Sequence, residues 1–383
     1  MFWKNCFYPG IAGLILFEIA NVYFIMPMPG SQQMDSLGIA YFLYRWRWAF
    51  RVISGLMIAV GILPAFRASK WPASLSIIAA AAAVYMFNFE MAAEKMFYQP
   101  RTLRMADARN NAVNPDKLVL GIELNGQAKA YPIQYMGYHH QVLDSVGGVP
   151  VMVTYCTVCR TGRVFSPTVN GRPEQFRLVG MDHFNAMFED AATGSWWRQV
   201  TGEAVAGPLK GAQLPELLYT QASLREWLIL HPNSLIMQAD STFSEEYADM
   251  DTYDLGRGRG ELTGTDSLSW KDKSWVVGIE VNDTNSKAFD WNRLKQERAI
   301  NSKVGERPVV LVLASDDKSF FAFERPDPGT VFTIKNDTLH SGEKTWNLLG
   351  IATDSATGDL QKIKGSQEFW HSWSTFHPHT TRY

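Results

Sequence analysis

The spacing of apolar positions changes character once along this chain, near residue 98. Before it the apolar residues come in long unbroken runs: Pro9–Met26, Ala49–Phe66 and Ala73–Phe89. At 1.5 Å per helical residue each run is long enough, or nearly so, to cross the hydrocarbon core of a bilayer. Residues 1–98 are therefore expected to hold three transmembrane helices, at about 9–26, 49–66 and 73–89. The first run has no small-residue cleavage site and is followed by further spans, which argues against a signal peptide. Glu18 lies inside it, and a carboxylate within a membrane is a functional candidate unless it pairs with Arg51 or faces the bundle interior.

Three spans put everything after them on the side of the Pro27–Trp48 loop. That side carries Arg45, Arg47, Lys95, Arg101 and Arg104, against Lys4, Arg67 and Lys70 on the other. The positive-inside count by itself would make the C-terminal part cytoplasmic. The Tyr41–Trp48 stretch, YFLYRWRW, also fits an interfacial aromatic belt with snorkelling arginines, which weakens that count.

A polar linker at 99–117 separates the runs from a region of short, strand-length apolar segments. Leu118–Leu124, the pair Asn125-Gly126 and Ala128–Pro132 make a hairpin signal, and further turns are marked by Gly147-Gly148, Asn170-Gly171 and Thr193-Gly194. Helices are expected near Ser223–Leu230 and Trp291–Arg298. The segment also repeats itself. VLGIELNGQAKAYP at 119–132 returns as VVGIEVNDTNSKAFD at 276–290, and GGVPVMV at 147–153 as GERPVVL at 305–311. Lys129 and Lys287, Gly147 and Gly305, and Pro150 and Pro308 are each 158 residues apart. The fold class expected is thus a three-helix transmembrane segment followed by a mainly β (α+β) soluble domain of two internal repeats, at 118–260 and 261–383.

Composition and chemistry refine this picture. A formal net charge of -2 offers no basic patch for nucleic acid, and three cysteines in 383 residues cannot form a secreted disulfide framework. Two of those cysteines stand together in Thr154-Tyr155-Cys156-Thr157-Val158-Cys159-Arg160-Thr161-Gly162, at the end of a predicted buried strand; Cys6 is a bystander in or near the lipid. Such a pair can close a small disulfide, bind a thiophilic metal, or pack as apolar matter. The 158-residue offset places Ala314 opposite Cys156, Asp317 opposite Cys159 and Glu297 opposite His139, so the second repeat is degenerate and lacks the thiols and the imidazole.

The expected metal ligands are Cys156, Cys159, His139 and His183, as a zinc or copper site, with Met181 or Met187 as a soft axial donor for copper. The competing reading is dithiol exchange at Cys156 and Cys159, with Arg160 and Arg163 lowering the thiol pKa. Against it, the following residues read as turn and strand, so no helix dipole is available. Trp196, Trp197, Arg198, Gln199 and Glu203 are candidates for lining a pocket, the competing reading being that Trp196 or Trp197 fills the core between the two repeats. Gly256-Arg257-Gly258-Arg259-Gly260 lacks a following helix and reads as a mobile loop, while His371, His377 and His379 could bind metal but read more readily as part of a polar tail.

Three long stretches carry a resemblance: AYPIQYMGYHHQVLDSVGGVPVMVTYCTVCRTG, DAATGSWWRQVTGEAVAGPLKG and FWHSWSTFHP. From about Leu118 onward the chain resembles the uncharacterised DUF3179 family. Members usually read Cys-Pro-Leu-Cys-Gly-Thr-Gly where this chain has Cys156–Gly162, and the family's histidine before the Gly-Gly turn corresponds to His139. Two departures stand out: Arg160 replaces the usual Gly, and His140 sits where Glu is commoner. The resemblance implies no established activity. Because many members carry export signals, it implies an extracytoplasmic domain on the inner or plasma membrane. The expectation is a bilayer-anchored protein handling copper or zinc or transferring electrons. The alternatives are a thiol-disulfide oxidoreductase with a redox partner, and a non-catalytic partner-binding module of a membrane complex.

Overall fold

The computed structural model describes residues 6–258 and 260–383. Lys4 of the charge count and Arg259 of the glycine-rich loop lie outside them. N-terminal helices are followed by a mostly β region, and the chain forms two compact units. One contains residues up to 98 together with Phe176–Arg198 and Glu203–Gln213; the other contains Gln99–Gln175, Gln199–Gly202 and Leu214–Tyr383.

The first unit begins with α1 (Phe7–Tyr23), α2 (Leu37–Arg45), α3 (Arg47–Ala68) and α4 (Lys70–Tyr85). The last runs on as a π-helical turn, Met86–Glu90. Two of these helices, Arg47–Ala68 and Lys70–Glu90, are long and apolar enough to cross a membrane; α1 is a shorter apolar helix. Close packing is set by small residues, since a Cβ on Gly61 would lie 2.4 Å from the Phe7 backbone nitrogen. Glu18 is fully buried and accepts from Arg51 Nε at 2.8 Å, Arg51 Nη2 at 2.9 Å and Asn88 Nδ2 at 2.9 Å. It therefore pins α1 to α3 and to the π turn as a satisfied ion pair, which a lipid-facing carboxylate could not be. The unit's sheet holds Phe176–Asp182, Asn185–Asp190, Trp196–Arg198 and Ala204–Ala206, in antiparallel succession. It is fastened to α2 by Tyr41 Oη donating to Gly194 O at 3.1 Å and Tyr44 Oη donating to Glu189 Oε1 at 3.0 Å.

In the second unit β1 (Leu118–Leu124) and β2 (Gln127–Pro132) form the predicted hairpin, with φ of 50° at Asn125 and 77° at Gly126. Then come α5 (Ile133–His139), β3 (Gln141–Val146), β4 (Val149–Cys156) and β5 (Thr161–Phe165). After the excursion into the first unit the chain returns as β6 (Thr220–Ser223), α6 (Leu224–Leu230) and β7 (Leu235–Met237). Here β6 pairs antiparallel with β1 and β7 parallel with β2.

The C-terminal part runs through the same order of elements. It comprises β8 (Trp275–Asn282), β9 (Asn285–Asp290), α7 (Trp291–Glu297), β10 (Ala299–Val304), β11 (Arg307–Leu313), β12 (Phe320–Glu324), β13 (Ser366–Phe369), α8 (Trp370–Phe376) and β14 (Thr381–Arg382). The pair Val153↔Val164 between β4 and β5 recurs as Leu311↔Ala322 between β11 and β12, each residue 158 further on. Gly121↔Ala130 recurs as Gly278↔Ala288, and the offset changes by one within this hairpin, where β8 has a register shift between Glu280 and Asn282. As in the first part, the edge strand β13 is antiparallel to β8 and the last strand β14 is parallel to β9.

Candidate functional site

Cys156 ends β4 in register with Thr161 of β5, and the Thr157–Arg160 turn joins the two strands. Arg160 takes the left-handed conformation, φ 54°, which a glycine would adopt without strain. The strain is offset by contacts that a glycine could not make. Arg160 Nε donates to Gln367 Oε1 at 3.1 Å, Nη1 to Tyr253 O and Nη2 to Asp254 O at 3.2 Å each, and the guanidinium lies 3.6 Å from the Trp275 ring centroid.

Neither cysteine forms a disulfide and neither has exposed surface. The Cys159 thiol is pushed well above its ordinary pKa. Burial is the main cause, the hydrogen bond and charge of Cys156 act in the same direction, and the Ser372 hydroxyl partly opposes them. The expectation that Arg160 and Arg163 lower the thiol pKa is thus corrected: both cations are committed elsewhere. Arg163 Nη2 bonds the buried Glu368 carboxylate, and its other nitrogens reach Val200 O at 3.1 Å, Gly162 O at 3.0 Å and Tyr219 Oη at 3.3 Å. The cation whose charge acts on the thiols is Lys273, whose ammonium is itself destabilised by burial.

The turn is covered by the C-terminal segment. Phe369 N donates to Cys159 O at 2.9 Å. Lys273 Nζ donates to Val158 O at 2.9 Å, and His371 Nε2 lies 3.1 Å from the same oxygen. Burial first, and then Lys273, hold the His371 imidazole at about 4, so it is neutral at physiological pH. From below, Gln199 Nε2 donates to Thr154 Oγ1 and to Thr161 O, both at 3.0 Å.

The other singled-out residues are placed as follows. His139 is buried at the end of α5 with Nε2 2.6 Å from Tyr247 Oη, inside a cluster with Tyr138 and Phe243. His140 follows at φ 61°, its imidazole lowered to about 4 by burial. His183 belongs to the first unit, with Nδ1 2.7 Å from Asp182 and Nε2 3.4 Å from Asp35. Among the described residues no three or more His, Cys, Asp or Glu side chains form a group that could hold a metal ion. Trp196 and Trp197 are buried, with indole nitrogens 2.9 Å from Glu189 and Asp190 respectively. Arg198 and Glu203 join Asp35, Tyr41, Asp182 and His183 around a 420 Å³ cavity of the first unit, whereas Gln199 lies in the second.

Sequence reasoning missed Lys273, Glu368, His371 and Ser372. For His371 and Ser372 the signal was present in FWHSWSTFHP, one of the stretches carrying the resemblance. Its residues are not a polar tail: they form β13 and α8, with His377 stacked 3.7 Å from Trp373.

No curated protein and no solved structure matches the chain. One family model does match, over residues 98–380, and its description is a protein of unknown function, DUF3179. The dithiol turn and the C-terminal segment covering it both lie within that span, and the chain belongs to the DUF3179 family.

Proposed function

We propose that this is a membrane-anchored protein with three spanning helices, whose extracytoplasmic β domain arose by duplication and keeps a guarded dithiol, Cys156 and Cys159, as a thiol-disulfide couple. The observation carrying this reading is two wholly buried cysteines, not joined as a disulfide, at the two ends of a turn whose Val158 carbonyl accepts from Lys273 Nζ at 2.9 Å. The chemistry needs no other ligand. One thiol loses its proton to water, the Lys273 charge favouring the thiolate, and the thiolate attacks a partner's disulfide. The second thiol then resolves the mixed disulfide, and the partner leaves as a dithiol. Dithiol exchange is favoured over zinc or copper because it needs only the two cysteines, whereas His139 and His183 are engaged with Tyr247 and with Asp182.

The pair is a guarded one, since neither thiol is exposed and at least one is held protonated. Reaction with a small aromatic disulfide is expected to accelerate about tenfold per pH unit from 7 through 9 without levelling, because the thiolate fraction keeps rising below a raised pKa. A stopped-flow pH profile of the full chain checks this, and mass spectrometry should find an intramolecular disulfide that dithiothreitol reverses. A rate plateau near neutrality, or no Cys156–Cys159 disulfide at any pH, would overturn the couple and favour a partner-binding module.

Sidedness is tested away from these thiols, which report burial rather than topology. Glu306, with its side chain 97% exposed, is the place for a reporter. In a chain with Cys6, Cys156 and Cys159 changed to Ser, Glu306→Cys should react with a membrane-impermeant maleimide on intact cells. Reaction only after lysis would place the domain in the cytoplasm, as the arginine count implies.

A further inference from the structure

At one end of the helices, where α1 finishes, α3 starts and the π turn closes, the first unit has a 310 Å³ pocket lined by Asn21, Arg47, Arg51, Asn88, Glu94 and Arg177. Apolar Ile25, Phe87 and Met91 line it as well. Its charges are unequally satisfied. Arg51 spends Nε and Nη2 on Glu18 and Asn88, and Arg177 is held by Glu189 at 2.8 Å and Glu94 at 3.3 Å. Arg47 donates Nη1 to Tyr44 O at 2.7 Å and lies 4.0 Å from the Tyr44 ring centroid, but it has no carboxylate partner among the described residues. The side-chain oxygen of Asn21 is buried without a hydrogen-bond partner. A pocket with one uncompensated guanidinium, an orphaned amide oxygen and an apolar side is built for a ligand that is anionic, polar and greasy at once.

We propose that this pocket binds a phosphodiester, with the phosphate on Arg47 and on Arg51 Nη1, which has no hydrogen-bond partner among the described residues, and that a membrane phospholipid is its source. One phosphodiester charge balances the one unpaired arginine. A headgroup hydroxyl or amine satisfies the Asn21 oxygen, and the acyl chains leave past Ile25 and Phe87. This rests on reading the helices as membrane spans. On that reading, the ends of α1 and α3 and the π turn that form the pocket meet the headgroup layer on the side of the Pro27–Trp48 loop.

The test uses the full chain in detergent. After extensive washing, native mass spectrometry should find phospholipid on the wild type. Arg47→Gln should retain about tenfold less, as expected for losing a charge-assisted contact. Arg45→Gln, which changes an exposed neighbour outside the pocket, should retain as much as wild type. Short-chain phosphatidylglycerol or phosphatidylethanolamine should raise the unfolding temperature of the wild type and not of Arg47→Gln. Equal retention by Arg47→Gln and wild type would overturn the site, as would an equal loss in Arg45→Gln. Stabilisation by glycerol phosphate or inorganic phosphate as strong as that by lipid would overturn the lipid source. A chain that is monodisperse without detergent defeats the anchor itself, a result distinct from a detergent-bound chain that carries no lipid.

Discussion

Replacing Glu368 with alanine is expected to destabilise the second unit by about 3 kcal/mol, and to speed reaction of the dithiol as well. Glu368 has no exposed surface; it accepts from Arg163 Nη2 and, at 2.9 Å, from Ser372 Oγ. Removing it strands the buried Arg163 guanidinium with only Glu216, at 3.5 Å, for a countercharge. Breaking a buried pair from one side costs about 3–5 kcal/mol, and the residual Glu216 contact places this case at the lower end. Exchanging both partners, Arg163→Met with Glu368→Met, should cost far less, because neither charge is then left buried. Urea titration of the detergent-solubilised chain by tryptophan fluorescence gives both values. The kinetic effect follows from position: Glu368 belongs to the strand whose Phe369 holds Cys159 O, so loosening that strand uncovers the turn. A Glu368→Ala chain that unfolds like wild type would mean that Arg163 is solvated, and that the C-terminal segment is not what guards the thiols.

Much of this arrangement was legible in the sequence because the signals were local. Asn125-Gly126 and Gly147-Gly148 make the hairpins they predict, and Glu18 finds the Arg51 partner expected of a carboxylate among apolar helices. The Cys156 turn was visible as a strand end followed by Gly162. What stayed hidden depended on partners distant in sequence. Strand periodicity records which face is buried, not what buries it. Nothing in FRLVGMD at 176–182 reveals that this strand groups with the N-terminal helices. Arg160 and Arg163 were expected to act on the nearest thiols, yet guanidinium groups go where several acceptors converge, and those came from Tyr253, Gln367 and Glu368. Nearness in sequence likewise does not give the partners of His139 and His183, which are near Cys156 along the chain and contact Tyr247 and Asp182.

The proposed duplication predicts that two glycines are interchangeable in their effect. A Cβ on Gly121 would lie 2.3 Å from Trp227 Cε3, and one on Gly278 would lie 2.1 Å from Trp373 Cζ3. Each tryptophan sits on the helix after the edge strand of its sheet, and each donates its indole N–H to a hydroxyl, Ser234 at 2.7 Å and Thr380 at 2.8 Å. Each also packs against a histidine, His231 tilted at 4.0 Å and His377 stacked at 3.7 Å. A methyl group cannot enter at such distances without moving a packed indole, so Gly121→Ala and Gly278→Ala should each cost about 3 kcal/mol, the upper end of ordinary overpacking. Gly358→Ala, where nothing lies within 4 Å, should stay within about 0.5 kcal/mol of wild type. Narrowing the ring should relieve the clash, so Gly121→Ala with Trp227→Leu, and Gly278→Ala with Trp373→Leu, should each lose clearly less than the sum of the single changes. Matching coupling energies in both pairs, read from denaturant midpoints, are what two copies of one packing device require. A strong coupling at Gly121 with none at Gly278 would mean that the two halves share an order of elements without sharing the contacts that hold them.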